Sequence, residues 1–259
     1  MRLRKLLLSG VALLQFLPLA GVHATTTPAA APLSAAQIVD KNVTAKGGLK
    51  AWRALQSVSY KGKMEAGGKQ NVQLPFLLEM KRGRKTRIEL EFANLTAVQV
   101  YDGVSGWKLR PFLGRKDVEP YTAEEMKAAS MESDLDGPLV DYAAKGTTVE
   151  LEGTEQVEGR DAYKLKLTLK GNQVRHVWID AETFLELKME GTPRRMDGKM
   201  HPVEVYMRDY RPVSGLMVPH VLETAVQGIK PTHKMTIESV VVNSKLEDAL
   251  FAKPSVTGK

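Results

Sequence analysis

Beyond residue 24 the chain carries four histidines, His176, His201, His220 and His233. None forms an H-x-x-x-H pair or stands at helical spacing from a carboxylate, the arrangement a metal needs, and all four fall in alternating, strand-like stretches. They are read as pleat residues. The Gly-x-Ser-x-Gly turn that exposes a nucleophilic serine is absent, as is a glycine-rich phosphate loop; Gly103-x-x-Gly106 reads as a hairpin turn. Carboxylates are abundant, among them Glu89, Glu91, Glu124, Glu125, Asp134 and Asp136, and two converging groups would supply the acid and base of a glycosidase. Alternation instead places Glu89 and Glu91 on the wet face opposite Ile88 and Leu90. No catalytic residue, metal or cofactor is assigned, and the expectation is a protein that is not an enzyme.

Two patterns remain that can bind rather than react. Lys81, Arg82, Arg84, Lys85 and Arg87 surround Gly83, which puts the cluster at a hairpin tip. Lacking interleaved aromatic side chains, it has no stacking platform for a nucleic acid. It is either a solvated tip that discourages edge aggregation or a contact for an anionic membrane surface or acidic partner protein. The second pattern is apolar: Leu74, Phe76, Leu78 and Met80 share one face of a strand, Ile88, Leu90 and Phe92 one face of the next, and Leu165, Leu167 and Leu169 one face of a later one. Fully covered, these residues are plain core. Partly covered, they line an apolar hollow able to take acyl chains, and Leu74, Phe76, Leu78, Ile88, Leu90, Leu165 and Leu167 are its expected contacts.

The elements that must position these faces follow from local pattern. With 259 residues, 43% hydrophobic and 26% charged, the composition is that of a globular chain and not of low-complexity disorder. Met1 to Ala24 has a basic start (Arg2, Arg4, Lys5), an apolar stretch from Leu6 to Ala20 broken by Gln15 and Pro18, and a Val22-His23-Ala24 cleavage site, the signature of a removable export signal. The segment carries three basic residues and no acidic one, so the formal charge of +7 falls to +4, too mild for nucleic-acid binding. The absence of cysteine excludes disulfides, thiolate metal sites and lipid acylation at a cysteine; with export, it points to a bacterial periplasm. Thr25 to Leu33 reads as a flexible tether, and residues 255–259 as a tail. Ser34 and Gln37 stand at capping-box spacing before a helix that Gly47-Gly48 ends; a short helical piece runs from Leu49 to Leu55. From Ser57 the period is that of strands, roughly twelve of them, five before and seven after an interruption from Tyr121 to Gly146. Turn signals separate them, among them Gly67-Gly68, Asp102-Gly103, Glu158-Gly159 and Gly171-Asn172. Thr122 with Glu125 opens one inserted helix; Asp136-Gly137-Pro138 restarts the chain into a second, whose apolar stripe of Leu139, Val140 and Tyr142 is the expected lid. A last helical turn spans Leu246 to Phe251. The expected fold is mainly β with a few helices: an unclosed antiparallel barrel of eleven or twelve strands, in a single domain over residues 34–254, with helices on its concave face.

This order of elements resembles the outer-membrane lipoprotein-sorting proteins, the periplasmic Lol-type carriers and their lipid-binding relatives. The resemblance is carried by Ile179-Asp180-Ala181-Glu182-Thr183, by Asp209-Tyr210-Arg211-Pro212-Val213-Ser214-Gly215-Leu216-Met217-Val218-Pro219, and by the ending Val242-Asn243-Ser244-Lys245-Leu246-Glu247-Asp248-Ala249-Leu250-Phe251. It covers roughly Ser34 to Pro254, in motifs that belong to the fold more than to one activity. It implies a hollow half-barrel whose helical lid shields the acyl chains of a lipid or lipoprotein, with no catalytic residue and with a lid-latching arginine that several positions could supply. The partners it implies are those acyl chains and an inner- or outer-membrane protein, with the carrier itself a monomer. A lipid-sensing regulatory module is the second reading, and an exported hydrolase the third.

Overall fold

Local signals build the first helix as the spacing predicts. In the computed structural model, which describes residues 32–66, 72–230 and 232–255, the Ser34 hydroxyl accepts from the Gln37 N–H and the Gln37 side chain accepts from the Ser34 N–H. This capping box opens α1 (Ala35–Ala45). Gly47 ends it in a left-handed conformation, and a Cβ there would lie 2.2 Å from the Gly215 carbonyl oxygen, so the backbones meet where only glycine fits. The short α2 (Leu49–Ala54) follows. The segment read as an export signal, nearly all of the expected tether, the expected turn at Gly67-Gly68 and the last four residues lie outside the described residues.

Before the interruption run β1 (Ser57–Glu65), β2 (Gln73–Lys81), β3 (Lys85–Phe92), β4 (Leu95–Tyr101), β5 (Gly106–Arg110) and β6 (Arg115–Pro120). After it run β7 (Thr148–Val157), β8 (Arg160–Leu169), β9 (Gln173–Asp180), β10 (Glu186–Glu190), β11 (Arg194–Met196), β12 (Lys199–His201), β13 (Val203–Val213), β14 (Leu216–Val226) and β15 (His233–Val242). Thirteen of these form one antiparallel sheet in the order β6-β5-β4-β3-β2-β1-β15-β14-β13-β10-β9-β8-β7, while β11 and β12 make a separate ribbon. A twisted sheet of more than about ten strands curls, and this one does so without closing, because β6 and β7 remain its two edges. The strand tally exceeds expectation for a physical reason: β6 is a polar edge strand with no buried residue, and β11 and β12 are three residues each, too short to show a period.

Because the chain leaves the sheet at edge β6 and re-enters at edge β7, the residues between must pass from one edge to the other. Thr122 and Glu125 close a second capping box, opening α3 (Ala123–Glu132) as the spacing predicts. The second inserted helix does not form. From Leu135 to Gly146 the chain is a series of turns, because Gly137 and Asp141 adopt positive φ (70° and 52°), which a right-handed helix cannot propagate through. Leu139 and Val140 nevertheless go inward and pack with Leu165, Leu167, Val177 and Ile179 of the sheet and with Ile38, Val39 and Val43 of α1. Tyr142 is half-buried beside them. The ending is a 3-10 turn at Asp248–Phe251, and Phe251 buries itself on Val98 and Val100 of β4.

The motifs carrying the resemblance are structural supports. The Asp180 carboxylate, 1% exposed as a residue, accepts from the backbone N–H groups of Glu182 and Thr183 and from the Thr183 hydroxyl, and pairs with Arg160. The Tyr210 hydroxyl donates to Glu186, whose carboxylate meets Lys46 at 2.7 Å; burial and the adjacent carboxylate push the Tyr210 phenol well above its ordinary range. Asn243 turns the chain after β15 at φ 57° and accepts from the Gln56 N–H at 2.7 Å.

Candidate functional site

The apolar residues singled out from the pattern separate into two sets. In β2 and β3, Phe76 faces Leu90 and Leu78 faces Ile88 across the strands, so these four share one side of the sheet with Leu74. Leu74 and Phe76 are buried; Leu78, Ile88 and Leu90 are half-buried. Leu165 and Leu167 of β8 are wholly buried against Leu139 and Val140, and Tyr60, the cross-strand partner of Leu78, packs on that same cluster. Burial pushes the Tyr60 phenol up to about 12.

A wide open cleft lies elsewhere. A cleft of about 1640 Å³ separates α3 from the half of the sheet that includes β9, β10, β13 and β14, with the β11–β12 ribbon at its rim, and none of the seven expected contacts lines it. Such a volume exceeds the roughly 300–1,000 Å³ of an ordinary small-molecule pocket. Glu124, Lys127, Ala128 and Met131 of α3, spaced three and four apart, present one helix face to it. Val203 and Val205 of β13 and Val226 of β14 line it from the sheet, and Met196 and Met200, both exposed, soften its rim. Arg175, from the inner face of β9 beside Leu167, completes the wall.

The ends of α3 are held over this cleft by polar contacts. The helix has no buried residue. Its N-terminal turn is pinned by the buried Lys108, whose ammonium reaches Glu125 at 2.5 Å, and Arg195 reaches Glu124 at 3.2 Å. Burial works to raise the Glu125 carboxyl, and the Lys108 ammonium with the Thr122 N–H outweighs it, leaving the group below the usual range. At the other end Thr192 donates to Glu132 at 2.7 Å, and Arg84 donates to the Ser130 carbonyl. With Met126, Ala129 and Met131 only half-buried, this helix buries less apolar surface against its support than the turn carrying Leu139 and Val140, which are 2% and 0% exposed. Position along the chain did not distinguish the two; the burial difference does.

The basic cluster is turned mostly to internal partners. Arg82 donates through both terminal nitrogens to the Asp136 carboxylate at 2.8 and 2.9 Å, and also to the Trp52 carbonyl at 2.6 Å, tying the β2–β3 tip to α2 and to the turn before Leu139. Lys81 and Lys85 share the Asp248 carboxylate, and Arg87 bonds Glu89 and the Leu250 carbonyl. Arg84 is exposed, at φ 60° in the tip. Hydrogen bonds from Lys81 and Lys85 hold the Asp248 carboxyl down at about 2. A carboxylate whose folded value is depressed contributes stability above its ordinary value of 3.8 and loses it as pH falls toward 2. A carbon-detected NMR titration should therefore find the Asp248 carboxyl unprotonated down to about pH 3, and the double change K81Q/K85Q should return its midpoint toward 3.8. A wild-type midpoint already at 3.8 would show that the C-terminal turn is not held by the tip.

The four histidines among the described residues lie in strands. His176 is the most engaged, its Nδ1 2.9 Å from Glu190 and its Nε2 3.3 Å from Glu152. Among the described residues no group of three His, Asp or Glu side chains is arranged to hold a metal ion, and no helix is long and apolar enough to cross a membrane.

An open antiparallel half-barrel with its edge-to-edge connection folded over the concave side is the Lol-type fold, and the chain has it. A LolA superfamily protein from Nitrosomonas europaea is 14% identical and superposes with a TM-score of 0.56 over 86% of this chain and 99% of that one. A domain described as an outer membrane lipoprotein-sorting protein, from Vibrio parahaemolyticus, is 13% identical with a TM-score of 0.55, over 85% and 96% of the two chains. A DUF1329 family protein from Desulfovibrio piger gives 15% and 0.57, over 85% and 98%. No family model and no curated protein matches the sequence.

Proposed function

We propose that the protein is an exported, periplasmic binding protein that shelters lipid or lipoprotein acyl chains, as a carrier, in the cleft beneath α3. One observation carries the reading: a cleft of about 1640 Å³, partly apolar, lies under a helix that has no fully buried residue and whose two ends are held by ion pairs and hydrogen bonds. Each methylene moved from water into such a cleft gains about 0.8 kcal/mol, so a chain of many methylenes is held firmly by a site with no stereochemical demand. The Lol-type fold supports the reading, since a neighbour of that fold is described as a lipoprotein-sorting domain. In this arrangement Arg82 is the latch of the turn carrying Asp136, and α3 is the part that moves. Of the expected contacts, Leu78, Ile88 and Leu90, all half-buried, are where a longer chain would continue along the sheet.

The test fills the cleft from its movable side. Ala128→Trp adds a large ring on a helix with no buried residue, so its stability should change by less than about 1 kcal/mol. Uptake of a dansylated undecanoic acid, read by its fluorescence, should fall at least several-fold, and native mass spectra of protein taken from the periplasm should show bound lipid on the wild type and less on the variant. A wild type that carries no lipid and leaves the probe in water would end the reading.

A further inference from the structure

Arg175 is out of keeping with the other arginines. Arg82, Arg87, Arg110 and Arg208, the other partly buried ones, each pair with a carboxylate. All 30 acidic side chains of the chain lie among the described residues, and none forms an ion pair with Arg175. Its Nη2 donates to the Thr192 hydroxyl at 3.0 Å and lies 4.0 Å from the Met131 sulfur, and those are its protein hydrogen bonds among the described residues. The two nearby carboxylates are engaged otherwise: Glu132 accepts from Thr192, and Glu190 accepts from the ring and the backbone N–H of His176. Burial depresses the Arg175 pKa, Glu132 and Glu190 push back, and a guanidinium remains charged throughout.

A guanidinium presents five donors in a fork that matches a carboxylate or a phosphate, and leaving it partly desolvated without an anion costs free energy. Here the fork stands in the wall of the cleft, between Met131 of the movable helix and the apolar run that begins at Leu167 and Val177 on the same face of the sheet. A cation at one point of a long, partly apolar cleft is complementary to a molecule with an acidic head and an apolar tail. We propose that Arg175 receives the acidic head of an amphiphile, a phosphate or carboxylate, whose acyl chain lies in the cleft beneath α3. The proposal rests on the cleft being the lipid site and adds the class of lipid: anionic at the head. It also couples occupancy to the lid, because Thr192 joins Arg175 to Glu132 at the end of α3, and an anion taking the guanidinium competes with that link.

The test compares two lipids with one tail. Oleoyl lysophosphatidate and monoolein differ in the acidic head, and their binding to the full chain is measured by displacement of the dansyl probe at concentrations below micelle formation. The wild type should prefer the lysophosphatidate by about tenfold, the scale of one charge-assisted hydrogen-bond pair. Arg175→Gln should bring the lysophosphatidate affinity down to that of monoolein and so erase the preference. Met131→Glu, at a half-buried position beside Arg175, supplies the missing carboxylate from within the protein and should erase the preference as well, so the question stays open to test if Arg175→Gln folds poorly. Oleate should behave as the phosphate does, and inorganic phosphate alone should not displace the probe. A wild type without preference, or a preference that survives both substitutions, overturns the assignment to Arg175 while monoolein binding still supports the cleft. Displacement by inorganic phosphate alone would make Arg175 a site for a free anion and overturn the amphiphile. Failure of both lipids to bind would remove the cleft reading and this one together.

Discussion

Leu139→Ala is expected to destabilise the protein by about 2–5 kcal/mol, the range for a leucine removed from a packed core. Leu139 is 2% exposed and lies among Val140, Leu165, Leu167 and the apolar side of α1, where little can collapse into the space it leaves. For a domain of this size that corresponds to a fall in melting temperature of roughly 4–20 °C. Urea denaturation followed by tryptophan fluorescence would measure it. The result bears directly on what the connection between the sheet edges does. If the turn of Leu139, Val140 and Tyr142 were a gate over an empty hollow, truncating it would cost little and would alter lipid uptake first. On the proposed reading this buried turn stays fixed and α3 moves, so Leu139→Ala should lower stability while uptake by the folded fraction stays near wild type. A cost below about 1 kcal/mol with changed uptake would reverse the assignment of fixed and moving parts.

Arg82→Met should cost about 2–4 kcal/mol, because it removes three hydrogen bonds and leaves the Asp136 carboxylate, whose side chain is 10% exposed, without its cation. Arg82 itself is about one-third exposed, which keeps the figure below that of a fully buried pair. The turn from Asp134 to Gly146 and α2 should both lose amide-exchange protection, since Arg82 bonds the one through Asp136 and the other through the Trp52 carbonyl. Arg84→Gln, at the exposed neighbouring position with a single carbonyl contact, should stay within about 0.5 kcal/mol. Asp136→Asn with and without Arg82→Met closes a double-mutant cycle, and a coupling below about 0.5 kcal/mol would show that the two side chains act independently.

Much of the local structure was legible from neighbouring residues. Ser34 with Gln37 and Thr122 with Glu125 place two helix starts because a capping box is completed within four residues. Glu158-Gly159 and Gly171-Asn172 mark hairpin turns because all four adopt positive φ there. Perfect alternation in Lys164 to Lys170 places Leu165, Leu167 and Leu169 on one face, a property of the pleat that needs no tertiary information. Leu139 and Val140 pack inward, and Gly137 and Asp141 make their segment a turn and not a helix.

Alternation assigns a side of a strand and is silent on what covers that side. Phe76 and Leu167 are equivalent in pattern and both buried, yet Leu167 packs with Leu139 and Val140 while Phe76 faces Leu90 across the strands, because the chain between β6 and β7 settles over one part of the sheet. The basic cluster reads as a free tip because Asp136 and Trp52, which occupy Arg82, are 54 and 30 residues away. Arg175 had no distinguishing signal at all. Its place in the cleft depends on Met131 and Thr192, brought to it by α3 and by the segment after β10, and its want of an anion depends on where every other carboxylate in the chain has gone. Helix starts, turns and faces are set by contacts within a few residues, so the sequence determined them. The cleft, its helical cover and its unpaired cation are set by which distant segments exclude water from one another, and only the tertiary structure decides that.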